Sequence, residues 1–204
     1  MRLLSLLDAA DSAGLVPVPI VRLHAFAYLA NVLAPVWDIR AMDGKILKRR
    51  GGPFYPALQR DLDHLVAAGM VRLSSLGYEE DEDGRWRLDA AYELNRDLAA
   101  NAVDYVRQHN VEGHGRVFLQ ELAYALSALS EEDLDAVVGE DATYSDDLVT
   151  EGNVVDFAEW RDTNYSANAA TYFERVMPGG AFPTPGEKLH LYVRHLYRRM
   201  HGAR

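Results

Sequence analysis

Residues 51–94 read GGPFYPALQRDLDHLVAAGMVRLSSLGYEEDEDGRWRLDAAYEL, and the order of elements in this stretch decides the fold. Pro56 suits the first turn of a helix, where its missing N–H costs nothing. Leu58, Leu62, Leu65 and Val66 follow at helical spacing as an inward stripe, leaving Gln59, Arg60, Asp63 and His64 outward. Gly69 is a natural left-handed stop. Residues 70–76 and 85–94 then alternate as strands, with Val71 and Leu73 opposed to Arg72 and Ser74. Glu79, Glu80, Asp81, Glu82, Asp83 and Gly84 form the turn between them. A helix that ends in Gly and runs straight into a β-hairpin is how a winged-helix module closes. Trp86 is expected in its core, on a strand facing the helix.

Working outward, residues 3–13 predict a first helix with Leu3, Leu4, Leu7 and Ala10 on one face, ended by Gly14. Val16-Pro17-Val18-Pro19 reads as an extended connector. Residues 20–34 predict a helix apolar over most of its circumference, so buried on more than one side. Residues 37–52 read as a loop with an Asp43-Gly44 turn. After residue 95 the helical period returns, with Leu98, Ala102, Tyr105 and Val106 on one face. A second run, 117–129, carries Leu119, Leu122, Ala123 and Leu126. Ser130 with Asp133 marks a short capped turn, and residues 166–177 predict another helix. Residues 143–163 have no readable period. The clearest start is Thr184-Pro185-Gly186-Glu187, a capping box with Pro at the first helical position. The expected fold is therefore mainly α with a small β-hairpin: a winged helix-turn-helix domain over residues 1–95, then an acidic α-helical domain over 96–204 ending in a basic amphipathic helix.

The chain has 204 residues, no cysteine and a net charge of −10. Disulfides and thiolate metal sites are excluded, which fits a cytoplasmic protein. No signal pattern is read at the N-terminus, and no apolar run is expected to span a bilayer. The charge is polarised: residues 1–95 sum to −2 and residues 96–204 to −8. Between 121 and 162 there are 13 acids and only Arg161, whereas no acid follows Lys188. Such a balance argues against non-specific DNA binding, which depends on neutralising phosphates. It favours protein partners, or docking of the basic tail on the acidic middle.

Candidate DNA contacts are Lys45, Lys48, Arg49 and Arg50 in the loop, with Gln59 and Arg60 on the third helix. Against them stand Asp61 and Asp63 on the same helix and the acidic wing. Candidate partner contacts are that wing (Glu79, Glu80, Asp81, Glu82, Asp83) and Arg194, Arg198 and Arg199 of the last helix. No catalytic set, metal site, cofactor site or small-molecule site is read. His109, Glu112 and His114 lack zinc-helix spacing, and His190 and His195 lie roughly 140° apart around a helix. Asp38, Asp43 and Lys45 faintly echo a nuclease half-site, but Asp-Gly is ordinary turn chemistry. Gly113-His114-Gly115 lacks the further glycine of a phosphate loop.

The run from Tyr55 through Val71, with its Leu-x-x-Leu-x-x-x-Gly-Met-Val pattern, resembles the final helix of winged-helix proteins. More narrowly, the Phe-Tyr-Pro-x-Leu-Gln-x-Asp-Leu-Asp-x-Leu-Val segment and the helical, acidic second half resemble the small third subunit of bacterial three-component ATPase defence systems, of the Lamassu type and the related ABC-ATPase type. That resemblance implies a non-enzymatic subunit that associates with an SMC-like or ABC-type ATPase and helps position a nuclease effector. It carries no catalytic residue, and implies DNA contact through the complex. The alternative is a winged-helix DNA-binding transcriptional regulator.

Overall fold

The computed structural model of the chain describes residues 2–39, 45–49, 52–80, 84, 86–109, 113–145, 154–156, 164–177 and 182–202. Helix α1 (Arg2–Ser12) buries Leu3, Leu4, Leu6 and Leu7, and Gly14 ends it with φ +73°. Strand β1 (Val18–Pro19) follows, then α2 (Ile20–Leu33). All residues of α2 from Leu23 to Leu33 are buried. This is the pattern expected of a helix packed on every side. By length and hydropathy the stretch Ile20–Trp37 could cross a bilayer, contrary to the expectation from the sequence. Here 72% of it lies inside the body, so it serves as the core helix.

A 3-10 turn (Ala34–Trp37) ends in Asp38, a non-glycine residue at φ +54°. The segment expected to be a loop then contributes two strands, β2 (Lys45–Arg49) and β3 (Gly52–Phe54). Helix α3 (Pro56–Ala67) buries Leu62 fully, with Leu58, Leu65 and Val66 packed partly against the core. The hairpin is β4 (Val71–Glu80) and β5 (Trp86–Leu94). Glu79 and Glu80 belong to β4 rather than to the turn, while Asp81, Glu82 and Asp83 lie outside the described residues.

The second half comprises α4 (Arg96–His109), α5 (Gly113–Leu126), α6 (Glu131–Ala136), a 3-10 turn (Val137–Glu140), strand β6 (Val154–Asp156), α7 (Tyr165–Val176) and α8 (Pro185–Met200). The expected caps form. Ser130 Oγ accepts from the Asp133 N–H, and Thr184 and Glu187 make the full capping box. On α4 the buried stripe is Ala99, Val103 and Val106, whereas Leu98 and Tyr105, expected inward, are exposed.

Two antiparallel sheets result, ordered β1-β5-β4 and β3-β2-β6. The second closes through Ile46↔Val155 and Leu47↔Val154, a pairing across more than a hundred residues that no local pattern announces. One cluster of buried side chains runs from Leu3 to Leu196 and crosses the boundary expected at residue 95. Asp8, buried on α1, receives Arg96 and Arg107 of α4, so the expected halves are also joined by charge. The architecture is mainly helical with small antiparallel sheets.

Candidate partner-docking surface

The register of the β4–β5 hairpin sets the chemistry of its faces. Residues paired across antiparallel strands point to the same side. Val71 pairs with Leu94 and Leu73 with Tyr92, and this side faces the core, where Val71, Tyr92 and Leu94 are buried. A register shift between Leu73 and Ser75 absorbs one residue as a bulge. Beyond it Leu76 pairs with Ala90, Tyr78 with Leu88 and Glu80 with Trp86. The bulge thus changes the parity of β4, so that Leu76, Tyr78 and Glu80 share the core side with Ala90 and Trp86. That side outruns the body: Leu76 is 64% exposed, Tyr78 68% and Trp86 68%. Trp86 is on the side expected of it but largely exposed rather than in the core.

Helix α3 lies over the inner end of this same side. The Tyr92 hydroxyl is held above its ordinary value first by burial and further by the nearby Asp63 and Asp89 carboxylates, with Gln59 hydrogen-bonding it in opposition. Gln59 Nε2 donates to Asp63 Oδ1 at 3.0 Å, and Gln59 Oε1 lies 3.4 Å from His24 Nε2. His24 is itself buried; its Nδ1 accepts the Tyr55 N–H, which places the ring proton on Nε2, facing Gln59. Gln59 is therefore committed within the fold rather than offered to base edges. Arg60, Asp61 and Asp63 are exposed, Asp63 at the edge nearest Gln59.

Of the other candidate DNA contacts, one is engaged within the chain. Lys48 Nζ donates to the Tyr144 carbonyl at 2.6 Å and sits 5.0 Å over the Tyr144 ring, tying the second sheet to the loop after the 3-10 turn. Lys45 and Arg49 lie on β2, and Arg50 lies outside the described residues. At the far end, the basic helix α8 docks on acids of its own chain. Lys188 pairs with Glu174, His190 with Glu121, Arg199 with Glu140 and His201 with Asp133. The internal docking weighed from the charge map is what the chain does. Of the candidate partner contacts there, Arg199 is used internally, while Arg194 and Arg198 are exposed.

The geometry that sequence reasoning missed is a buried polar knot at Asp141. Its Oδ1 accepts from the Tyr28 hydroxyl at 2.6 Å, the Ser166 hydroxyl at 2.9 Å and the N–H groups of Thr143 and Tyr144 at 3.0 Å. Its Oδ2 accepts from the Tyr192 hydroxyl at 2.7 Å. Burial, then the adjacent carboxylate, pushes both tyrosines well above their ordinary pKa, so they stay protonated donors. One carboxylate thereby joins α2, α7 and α8. An acid inside an acidic tract gives no local sign of this.

Among the described residues no group of three or more His, Asp or Glu side chains could hold a metal ion. His114, Glu121, Glu187 and His190 line an open hollow beside Trp37 and Asp38, where His190 Nε2 lies 3.5 Å from Glu121. Of the other residues weighed for metal or nuclease chemistry, Glu112 and Asp43 lie outside the described residues. No protein family, curated protein or solved structure matches the chain.

Proposed function

We propose that the chain is a non-enzymatic accessory subunit of a cytoplasmic bacterial multi-protein ATPase complex, of SMC-like or ABC type, acting in DNA surveillance or anti-phage defence. Its N-terminal part is read as a winged helix. The order α1, β1, α2, α3, β4, β5 with the sheet order β1-β5-β4 supports that reading, with β2 and β3 inserted between the second and third helices. The observation that carries the function is the wing. Where a DNA-binding wing places cations against phosphate, this one exposes Leu76, Tyr78 and Trp86 and leads into an acidic tip. An exposed aromatic and aliphatic cluster on a hairpin whose acids outnumber Arg72, Arg85 and Arg87 is the chemistry of a protein contact.

The resemblance to the small third subunit of three-component defence systems supplies the kind of partner, an ATPase with an associated nuclease effector. Affinity purification of the tagged protein from its host, with the products of adjacent genes identified, tests the proposal. Stoichiometric recovery of an ATPase supports it, and recovery of monomer alone overturns it. The second reading, a DNA-binding regulator, is favoured by the exposed Arg60 and by the cations on β2. Tight duplex binding with a steep salt dependence, abolished by charge reversal at Lys45, Arg49 and Arg60, would put that reading first.

A further inference from the structure

We infer that the occupant of the wing is a basic amphipathic helix of a different protein, laid along the side of the hairpin that carries Leu76, Tyr78 and Trp86. The inference rests on the reading of the wing as a protein-docking element and adds the chemistry of what docks.

Three observations converge on this occupant. The first is continuity. The inner end of the same sheet side is covered by a helix of this chain, α3, over Tyr92, so helix on sheet is the packing already in use there. From the Leu73–Tyr92 pair to the Glu80–Trp86 pair the side extends about 20 Å at roughly 3.3 Å per residue. A helix of about 13 residues covers that length at 1.5 Å rise. The second is charge. Glu80 is exposed on this side, Asp61 and Asp63 are exposed on the neighbouring helix, and the sequence continues from Glu80 into three further acids. Lys and Arg flanking an apolar stripe complement that rim, and an acidic segment would be repelled.

The third observation argues against the basic helix of a second copy of the chain as the occupant. Its own basic amphipathic helix, α8, has its apolar stripe committed: Leu189, Tyr192, Val193 and Leu196 are all at most 2% exposed. Two copies also each carry a net charge of −10. Duplex DNA is disfavoured by the same acidic rim.

Two measurements test this. The first uses the full chain and two model peptides of about 14 residues, a leucine–lysine amphipathic helix and its leucine–glutamate counterpart. Calorimetry is expected to show binding of the lysine peptide that weakens as salt is raised and falls at least about tenfold in the Tyr78→Ser/Trp86→Ser variant. Equal binding of the two peptides, or binding indifferent to the double variant, overturns the inference. Both substituted positions are exposed, so loss of fold does not confound the result; an unchanged circular dichroism spectrum checks this.

The second measurement places a photo-crosslinking residue at position 78 of the full chain in its host and sequences the attached peptide. A segment with lysines and arginines flanking apolar residues at helical spacing supports the inference. A protein segment of any other chemistry overturns it and leaves the docking reading intact. Attachment to DNA, or to no macromolecule, overturns both. Attachment to a second copy of this chain overturns the choice of partner.

Discussion

The loop at Asp141 and the outer half of the β4–β5 hairpin invert each other's chemistry. At the loop a carboxylate is fully buried, and its oxygens receive three hydroxyls and two backbone N–H groups from the same chain. On the hairpin a tryptophan, a tyrosine and a leucine lie mostly in solvent on the side that elsewhere faces the core. A buried polar group is tolerated when its hydrogen bonds are satisfied, and a satisfied network needs nothing from outside. Exposed apolar surface gains by being covered, and among the described residues nothing covers that of the hairpin. The first region is closed and belongs to folding. The second is open and belongs to association.

The sharpest way to break this comparison is at the closed end. Asp141→Ala removes the shared acceptor of the Tyr28, Ser166 and Tyr192 hydroxyls and of two N–H groups among buried neighbours, while the Thr143 N–H and the Ser166 hydroxyl keep their contacts with one another's residue. Each stranded buried donor costs about 1–3 kcal/mol, with partial relief from repacking, so a loss of about 4 kcal/mol is expected by chemical denaturation. Tyr192→Phe removes the bond to Asp141 and the longer one accepted from the Ala142 N–H, and should cost about 1 kcal/mol. If Asp141→Ala is nearly neutral, the knot is not what holds α2, α7 and α8 together.

Lys48 tests the boundary between the two kinds of region. The DNA reading counts it as a phosphate contact, whereas its ammonium is engaged by the Tyr144 carbonyl and ring. Lys48→Met is therefore expected to lower stability by about 1.5 kcal/mol, a charged hydrogen bond's worth, and to leave any duplex affinity unchanged. A fall in DNA affinity at constant stability would move Lys48 from the closed class to the open one.

How much of this was legible in the sequence depended on whether the deciding contact was local. Helix α8 was readable from Thr184 and Glu187 because a capping box is complete within four residues. Helix α3 and the hairpin were readable from Leu62, Gly69 and the alternation after it. The sheet β3-β2-β6 was not, since Lys45–Arg49 looks like a basic loop until Val154–Asp156 arrives from far along the chain. On α4 the large apolar side chains Leu98 and Tyr105 drew the stripe away from the smaller Ala99 and Val103 that are buried. Trp86 was assigned the correct side and the wrong environment. Alternation reports which way a strand residue points, but not whether anything stands opposite it. Asp141 accepts locally from residues 143 and 144 as any turn aspartate can, and what sets it apart, the hydroxyls of residues 28, 166 and 192, comes from far along the chain.

The capping box offers a smaller, pH-dependent check on the closed region. Thr184→Ala should cost about 1 kcal/mol near neutral pH. The Glu187 carboxyl is held below its ordinary value by the backbone N–H and hydroxyl of Thr184 that it accepts. A depressed folded-state pKa stabilises above the unfolded value, here 4.5, and that contribution is lost as pH falls through the lower folded value. The difference in melting temperature between the parent and Thr184→Ala should therefore narrow below about pH 4. A gap that widens on acidification would mean that Glu187 is not working as an ionised cap.

The smallest expected effect is the most diagnostic of the open region. Replacing Leu76, Tyr78 and Trp86 together by Ser removes more apolar surface than any single core substitution, yet these side chains are 64–68% exposed. If nothing in the chain covers them, the folded state loses little that the unfolded state does not also lose. Changes within about 0.5 kcal/mol per site are then expected by denaturation, with the slope in denaturant unchanged. A loss of several kcal/mol would mean that the chain itself covers the hairpin and that the open surface is really part of the core. Near-neutral stability combined with loss of the partner would separate the two regions by experiment: one whose polar groups are needed to fold, and one whose apolar groups are needed only to bind.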